Sequence, residues 1–275
     1  FLVLSFAAPV QFNSRLESTP VAIGACSNIN FIAPTQAGNM IVLALDFQAP
    51  GTPFPADIAD SAGSSYKLIT VVNGTSYGHG VFSAVSLGPV TNVRVCWSAA
   101  VVFNGWSWSL VEYPAPQEVG AATVSSDLTA APGTVFVASL SKVTCRDSVL
   151  FTYVSVQVGG SIADTGLTVI DRVAGNFIAE VPLVKGQTSY IAKASLDANG
   201  NGFAMSFVEF RGKCVETVNT NIPPDQRVVI PDNAIITPGT SVGGTLIVTG
   251  NASLTSATIQ STAVISVGGN VVFAN

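Results

Sequence analysis

Charge is what this chain has least of. Of its 275 residues only 11 are Lys or Arg and 16 are Asp or Glu, together 10%, against about a quarter in ordinary globular proteins. The basic residues are scattered singly and the formal net charge is −5, which excludes the basic stripe that nucleic-acid binding requires. No apolar run approaches the ~20 residues of a membrane-spanning helix, so no membrane span is expected. Histidine occurs once, in Gly78-His79-Gly80, with no nucleophile elbow beside it; it reads as a loop residue rather than part of a triad or zinc set. The four cysteines, Cys26, Cys96, Cys145 and Cys214, stand far apart, which excludes metal knuckles and CxxC redox motifs. Helical periodicity with caps is missing throughout.

Apolar residues are abundant instead, at 48%. With so little charge, Ser, Thr, Asn, Gln and Gly must supply the polar exterior, a composition that suits an extracellular or virion β protein. Disulfides fit that setting. Four cysteines allow three pairings and spacing does not choose among them; Cys26 with Cys96 is the pair singled out, with four buried thiols as the alternative.

The strongest pattern is Trp106-Ser107-Trp108-Ser109-Leu110-Val111-Glu112-Tyr113, echoed by Phe203-Ala204-Met205-Ser206-Phe207-Val208-Glu209-Phe210. Both alternate with period two, as strands with two different faces do. They are expected to be equivalent closing strands of two related halves. Met40–Leu45 is an apolar run of strand length, expected to be buried on both faces or central in a sheet, and Ser148–Val158 is the counterpart of Met40–Phe47 in the second half. Turn signals separate short strands elsewhere: Ala49–Pro55 with its prolines, Asp60–Tyr66, Asn73-Gly74 and Asp197–Gly202. The fold class is therefore all-β, an antiparallel β-sandwich of jelly-roll or Greek-key type over residues 1–212.

At the start, Phe1–Pro9 resembles the end of a signal-peptide apolar region but is read as a first strand. Donated to a neighbouring subunit, it would complete that neighbour's sheet; paired at home, it is an ordinary strand. Residues 213–232, with Pro223-Pro224, are expected to be a semi-rigid linker. From Asn233 to Asn275 no charged residue occurs, and Gly243–Asn251 is echoed 25 residues later by Gly268–Asn275. Short β segments repeated between Gly-Asn turns indicate a solenoid or a fibrous β-rich shaft. Its apolar residues Leu246, Val248, Val271 and Phe273, with Phe1 and Val3 at the other end, are the candidate assembly residues.

Runs such as Gly-Gly-Thr-Leu-Ile-Val-Thr-Gly-Asn followed by Gly-Gly-Asn-Val-Val resemble the repetitive shafts of bacteriophage tail or head fibres. The pattern Ala37–Val42, Asp60–Tyr66, Trp108–Tyr113 is similar to a β-sandwich module of phage and secreted bacterial proteins. The resemblance implies a non-enzymatic virion subunit without cofactors. Its partners would be copies of itself, as trimers or higher, and other structural proteins of the assembly, with a host-surface glycan as a further partner. The other readings are an exported adhesin or pilus subunit that donates Phe1–Phe12, and a carbohydrate-active enzyme.

Four features invite chemistry. Asp197, Asn199 and Asn201 match the first half of a calcium loop, but Val208 stands where the bidentate acid belongs, so a polar turn is the expectation. Trp97, Trp106 and Trp108 have the makings of a sugar platform, yet the echo by Phe203 and Met205 assigns Trp106 and Trp108 to a core. Glu112 and Glu209 form a carboxylate pair of the kind glycosidases use, but as ends of repeated strands they read as solvated. Asn73-Gly74-Thr75 and Asn251-Ala252-Ser253 satisfy the glycosylation sequon.

Overall fold

A computed structural model describes residues 9–17, 26–48, 55, 57–74, 77–97, 106–114, 118–141, 143, 148–184, 187–211, 215–218, 221–230, 233–236, 238, 240–248, 252–255, 257–261 and 263–274. Among them there is no helix, and none long and apolar enough to cross a membrane. The chain divides into two compact units, Phe1–Gly212 and Lys213–Asn275.

Among the described residues the first unit holds sixteen strands. The first eight are β1 (Gln11–Glu17), β2 (Cys26–Asn30), β3 (Met40–Phe47), β4 (Asp57–Asp60), β5 (Lys67–Asn73), β6 (Gly78–Val85), β7 (Asn92–Cys96) and β8 (Trp106–Tyr113). The next eight are β9 (Glu118–Asp127), β10 (Val135–Leu140), β11 (Val149–Val158), β12 (Ser161–Ala163), β13 (Thr168–Val173), β14 (Asn176–Glu180), β15 (Tyr190–Leu196) and β16 (Asn201–Arg211). Strands β1-β8-β3-β6-β5 and β2-β7-β4 form the two antiparallel sheets of the first half. In the second half the orders are β9-β16-β11-β14-β13 and β10-β15-β12, the same topology shifted by eight strands. The duplication extends to single residues. Ile41 faces Glu112 and Phe47 faces Trp106; Leu150 faces Glu209 and Val156 faces Phe203.

Alternation distributes the side chains into three layers. Ile41, Leu43, Leu45, Trp106, Trp108 and Leu110 join Val93 and Val95 of the smaller sheet in the first core. Leu150, Val154, Phe203, Met205 and Phe207 do the same with β10 and β15 in the second. The opposite faces of the two five-stranded sheets pack on each other through Val42, Val111, Tyr113, Phe151, Val208 and Phe210. Both faces of β3, β8, β11 and β16 are thus covered, which explains their unbroken apolar character.

Cys26 and Cys96, opposite each other in the β2–β7 ladder, form a disulfide closing a 70-residue separation; Cys145 and Cys214 lie outside the described residues. Loop-closure entropy for that span is about 4 kcal/mol, and measured values run about 2–4. Cys26→Ser/Cys96→Ser should therefore lower the unfolding free energy by about 2–4 kcal/mol, read as an earlier urea midpoint.

Phe1 and Val3 lie outside the described residues. The first described strand is Gln11–Glu17, which pairs with β8 of its own chain, Phe12 opposite Val111.

In the second unit every pairing among the described residues is parallel. Strands β17 (Val215–Val218), β19 (Asn233–Ile236), β22 (Ala252–Thr255) and β25 (Val271–Ala274) form one ladder. A second comprises β18 (Arg227–Ile230), β21 (Thr245–Val248) and β24 (Val264–Val267), and a third β20 (Ser241–Val242) with β23 (Thr258–Ile259). Residues 213–232, expected as a linker, carry β17 and β18 instead. The prolines open a turn, Gln226 N bonding Pro223 O, rather than extending a connector. The spacing also differs from the 25-residue echo. Arg227 pairs with Thr245 and Ala234 with Ala252, 18 residues apart; Thr245 pairs with Val264 and Ala252 with Val271, 19 apart. The echo matches β21 with β25, which belong to different ladders. All three ladders contribute to one apolar interior that includes Ile230, Ile236, Val242, Leu246 and Leu254. Leu246 and Val248 are therefore covered by their own chain, whereas Val271 is exposed; the side chain of Phe273 lies outside the described set.

Candidate functional site

The layer between the two five-stranded sheets is apolar along one half and polar along the other. Along β3, the side chains facing this layer run Met40, Val42, Ala44 and then Asp46. Opposite them, β11 runs Val149, Phe151, Tyr153 and then Ser155. Strands β6, β8, β14 and β16 add His79, Ser107, Asn176 and Ser206, all buried.

Asp46 gathers donors from three strands on a single oxygen. Its Oδ1 accepts from Tyr153 at 2.5 Å, from Asn176 Nδ2 at 3.0 Å and from the Ser107 hydroxyl. Asn176 also donates to Ser107 Oγ at 2.9 Å and accepts from the Val156 N–H at 2.9 Å. Burial raises the Asp46 pKa to about 6 while those donors oppose the rise. Asn176 reaches this point because Ala174-Gly175 make a two-residue hairpin with both residues at positive φ, 46° and 85°. Ala174, as a non-glycine, tolerates that conformation at a cost of about 1 kcal/mol.

His79 is a strand residue, not a loop residue, and is fully buried. The glycine before it, which suggested a loop, lies under the Phe47 ring, where a Cβ would have no room. Nδ1 meets Ser155 Oγ at 2.5 Å, Nε2 meets Ser206 Oγ at 2.7 Å, and the ring stacks on Tyr153 with centroids 4.8 Å apart. Tyr77 donates to Ser155, and Ser206 bonds Thr70 at 2.7 Å. With Tyr77 donating, the Ser155 proton goes to Nδ1 and the proton on Nε2 to Ser206, a neutral imidazole with both nitrogens used. Burial holds its pKa down at about 3. Ser155 and Ser206 are sealed, so the His–Ser contacts lack the exposed nucleophile that acyl transfer needs.

A cleft of about 220 Å³ opens at the Asp46 end, lined by Leu16, Asp46, Gln48, Ser107, Val158 and Asn176 among others. A larger groove of about 470 Å³ runs past Met40, Ile69, Val85 and Val119, and its titratable residues Lys67 and Glu118 are exposed.

Glu112 and Glu209, expected to be solvated, are both buried. Glu112 accepts from Gln11 Nε2 at 2.6 Å, Asn39 Nδ2 at 2.7 Å and Gln36 N at 2.8 Å. Glu209 accepts from Ser148 Oγ at 2.8 Å, Ala121 N at 3.1 Å and Arg211 Nε at 3.2 Å. Each carboxylate ties its strand to the segment entering β3 or β11. In the second half Gly120 and Ala121 stand opposite Glu209 alone, a bulge that turns the Ala121 N–H toward the carboxylate. A Cβ at Gly120 would strike that carboxylate. Trp97, Trp106 and Trp108 are buried in the first core, Trp97 edge-on to Phe47 and to Trp106.

The Asp197 carboxylate accepts the Asn199 N–H at 2.8 Å and the Gly200 N–H bonds Asp197 O at 3.1 Å, a turn leading into Asn201 and β16. Among the described residues no group of three His, Cys, Asp or Glu is placed to hold a metal. No family model, curated protein or solved structure matches this chain. The functional reading rests on its own geometry.

The outer faces of the two smaller sheets differ despite equal topology. On β2-β7-β4 the outward positions include Asn28, Asn30, Arg94 and Asp57. The corresponding face of β10-β15-β12 carries Val135, Val137, Ile162 and Ile191, 45–62% exposed, around Lys193, which pairs with Asp164 at 3.5 Å.

Proposed function

We propose that this chain is a non-enzymatic structural subunit of a virion appendage, a tail or head fibre or a decoration protein. In this reading the first unit is a tandem pair of jelly-roll sandwiches that is displayed or docked. The second is a short β-solenoid that assembles with copies of itself.

The observation that carries the reading is the set of parallel ladders, whose last strands leave their apolar side chains less covered than the strands they pair with. Leu246 and Val248 are buried; their ladder partners Ile265 and Val267 are only half-buried. On the outward faces of the last strands, Val264 of β24 and Val272 of β25 are 57% and 56% exposed. Parallel strands with an uncovered apolar end are stabilised by stacking on more of the same. The aliphatic outer face of β10-β15-β12 offers a second docking surface. The buried polar groups support the same reading, since Glu112, Glu209 and His79 spend their hydrogen bonds inside the fold.

Light scattering of the full chain should return trimers or higher oligomers at micromolar concentration. Val264→Lys/Val272→Lys should shift them to monomer with no loss of the first unit's thermal transition. A monodisperse monomer with the second unit folded overturns the proposal.

A further inference from the structure

We propose that the cleft at the Asp46 end of the inter-sheet layer binds a primary alkylammonium group, either of a free amine or of a lysine side chain on another protein. Three observations lead there. First, the donors around the cleft are already committed. Asn176 Nδ2 spends its protons on Asp46 Oδ1 and Ser107 Oγ, the Ser107 hydroxyl donates to Asp46, and Gln48 Nε2 donates to Gln157 O. What these groups have left is largely acceptor capacity, at Asp46 Oδ2 and Gln48 Oε1. All three hydrogen bonds to Asp46 fall on Oδ1, and no described residue bonds Oδ2.

Second, among the described residues the only ionisable one in the cleft lining is Asp46. The titratable groups packed around it from β6 and β11 are His79 and Tyr153, with Tyr77 nearby; none is cationic at neutral pH. A buried carboxylate without a cation calls for one, and an ammonium brings three donors and no acceptor. Third, Val158, 61% exposed, and Leu16, 49% exposed, give the cleft aliphatic walls suited to a methylene stem. Its volume of about 220 Å³ equals roughly seven waters at about 30 Å³ each, enough for a four-carbon chain and its head group.

Titration calorimetry on the full chain tests this with n-butylamine, Nα-acetyl-lysine methylamide and n-butanol as probes. Butylammonium should bind at least about tenfold more tightly than butanol, which shares the stem and lacks the charge. Its affinity should fall as the pH drops through about 6, where Asp46 takes up a proton. Val158→Trp fills the rim without touching a hydrogen bond and should abolish binding with an unchanged melting temperature. Asp46→Asn should remove the preference for the amine. Tighter binding of the lysine derivative than of butylammonium assigns the site to a protein side chain, and equal binding assigns it to a small amine. Equal affinity for butanol and butylammonium overturns the proposal. So does amine binding that survives Val158→Trp, or no binding of either amine at millimolar concentration.

Discussion

Replacing His79 by Gln should make the first unit gain stability on acidification relative to the parent chain. His79 has a folded pKa lowered to about 3 from 6.5, so its contribution is present above 6.5 and is lost as the pH falls toward 3. At about 1.4 kcal/mol per pH unit, the loss between pH 7 and pH 4 is about 3 kcal/mol. Asp46 acts oppositely. Its folded pKa is raised to about 6 from 3.8, so its contribution is full below 3.8 and is lost as the pH rises through 6. Between pH 6 and 4 the two slopes cancel, and the parent chain gains and loses little from this pair. His79→Gln leaves Asp46 alone and should gain about 3 kcal/mol on the parent between pH 7 and pH 4; Asp46→Asn should lose about as much. Urea midpoints at the two pH values decide it, because the remaining carboxylates are common to all three chains. Parallel curves for parent and His79→Gln would show that the buried imidazole does not stay neutral. The pairing also has a physical logic. One buried group prefers acid and the other prefers base, so the polar half of the layer stays serviceable across the range in which either alone would fail.

The parts of this fold that could be read from the chain were those written into local alternation. Trp106–Tyr113 and Phe203–Phe210 share a pattern because they occupy one position in a duplicated topology, and their registers against β3 and β11 match residue for residue. Burial of the polar residues could not be read that way, since it is decided by partners remote in the chain. Glu112 is held by Gln11, 101 residues away, and by Gln36 and Asn39. His79 looked like a loop residue because its neighbours are glycines, and only the Phe47 ring over Gly78 explains why glycine sits in a strand. The role of Asn176 is equally remote in origin; the two-residue hairpin before it is what delivers its amide to Asp46. In the second unit the visible Gly-Gly echo tracked turn chemistry, whereas the ladders are set by which apolar side chains meet in the interior. That criterion selects steps of 17 to 19 residues.

Glu112→Ala and Glu209→Ala should each lower the stability of the first unit by about 3–5 kcal/mol, the cost of stranding donors around a deleted buried charge. Glu112→Ala leaves Asn39 Nδ2, itself buried, without its acceptor, and also Gln11 Nε2 and the Gln36 N–H, which are nearer water. Glu209→Ala strands Ser148 Oγ and the Ala121 N–H, while Arg211 keeps Glu118 at 3.5 Å. Glutamine is the informative substitution. Each site presents donors only, so a Gln side chain keeps one acceptor oxygen but turns its NH₂ against a donor, for a cost of about 1–3 kcal/mol. The two carboxylates share no partner, so the Glu112→Gln and Glu209→Gln costs should add in the double variant to within about 0.5 kcal/mol. Urea denaturation of the four single variants and the double Gln variant measures this. Costs below about 0.5 kcal/mol for the Ala variants would mean that water serves these donors and that the carboxylates are held for another purpose. A duplicated device that costs several kcal/mol to remove at both of its sites is there to enter β3 and β11 in register. The strands so placed are the ones that build the layer holding Asp46 and His79.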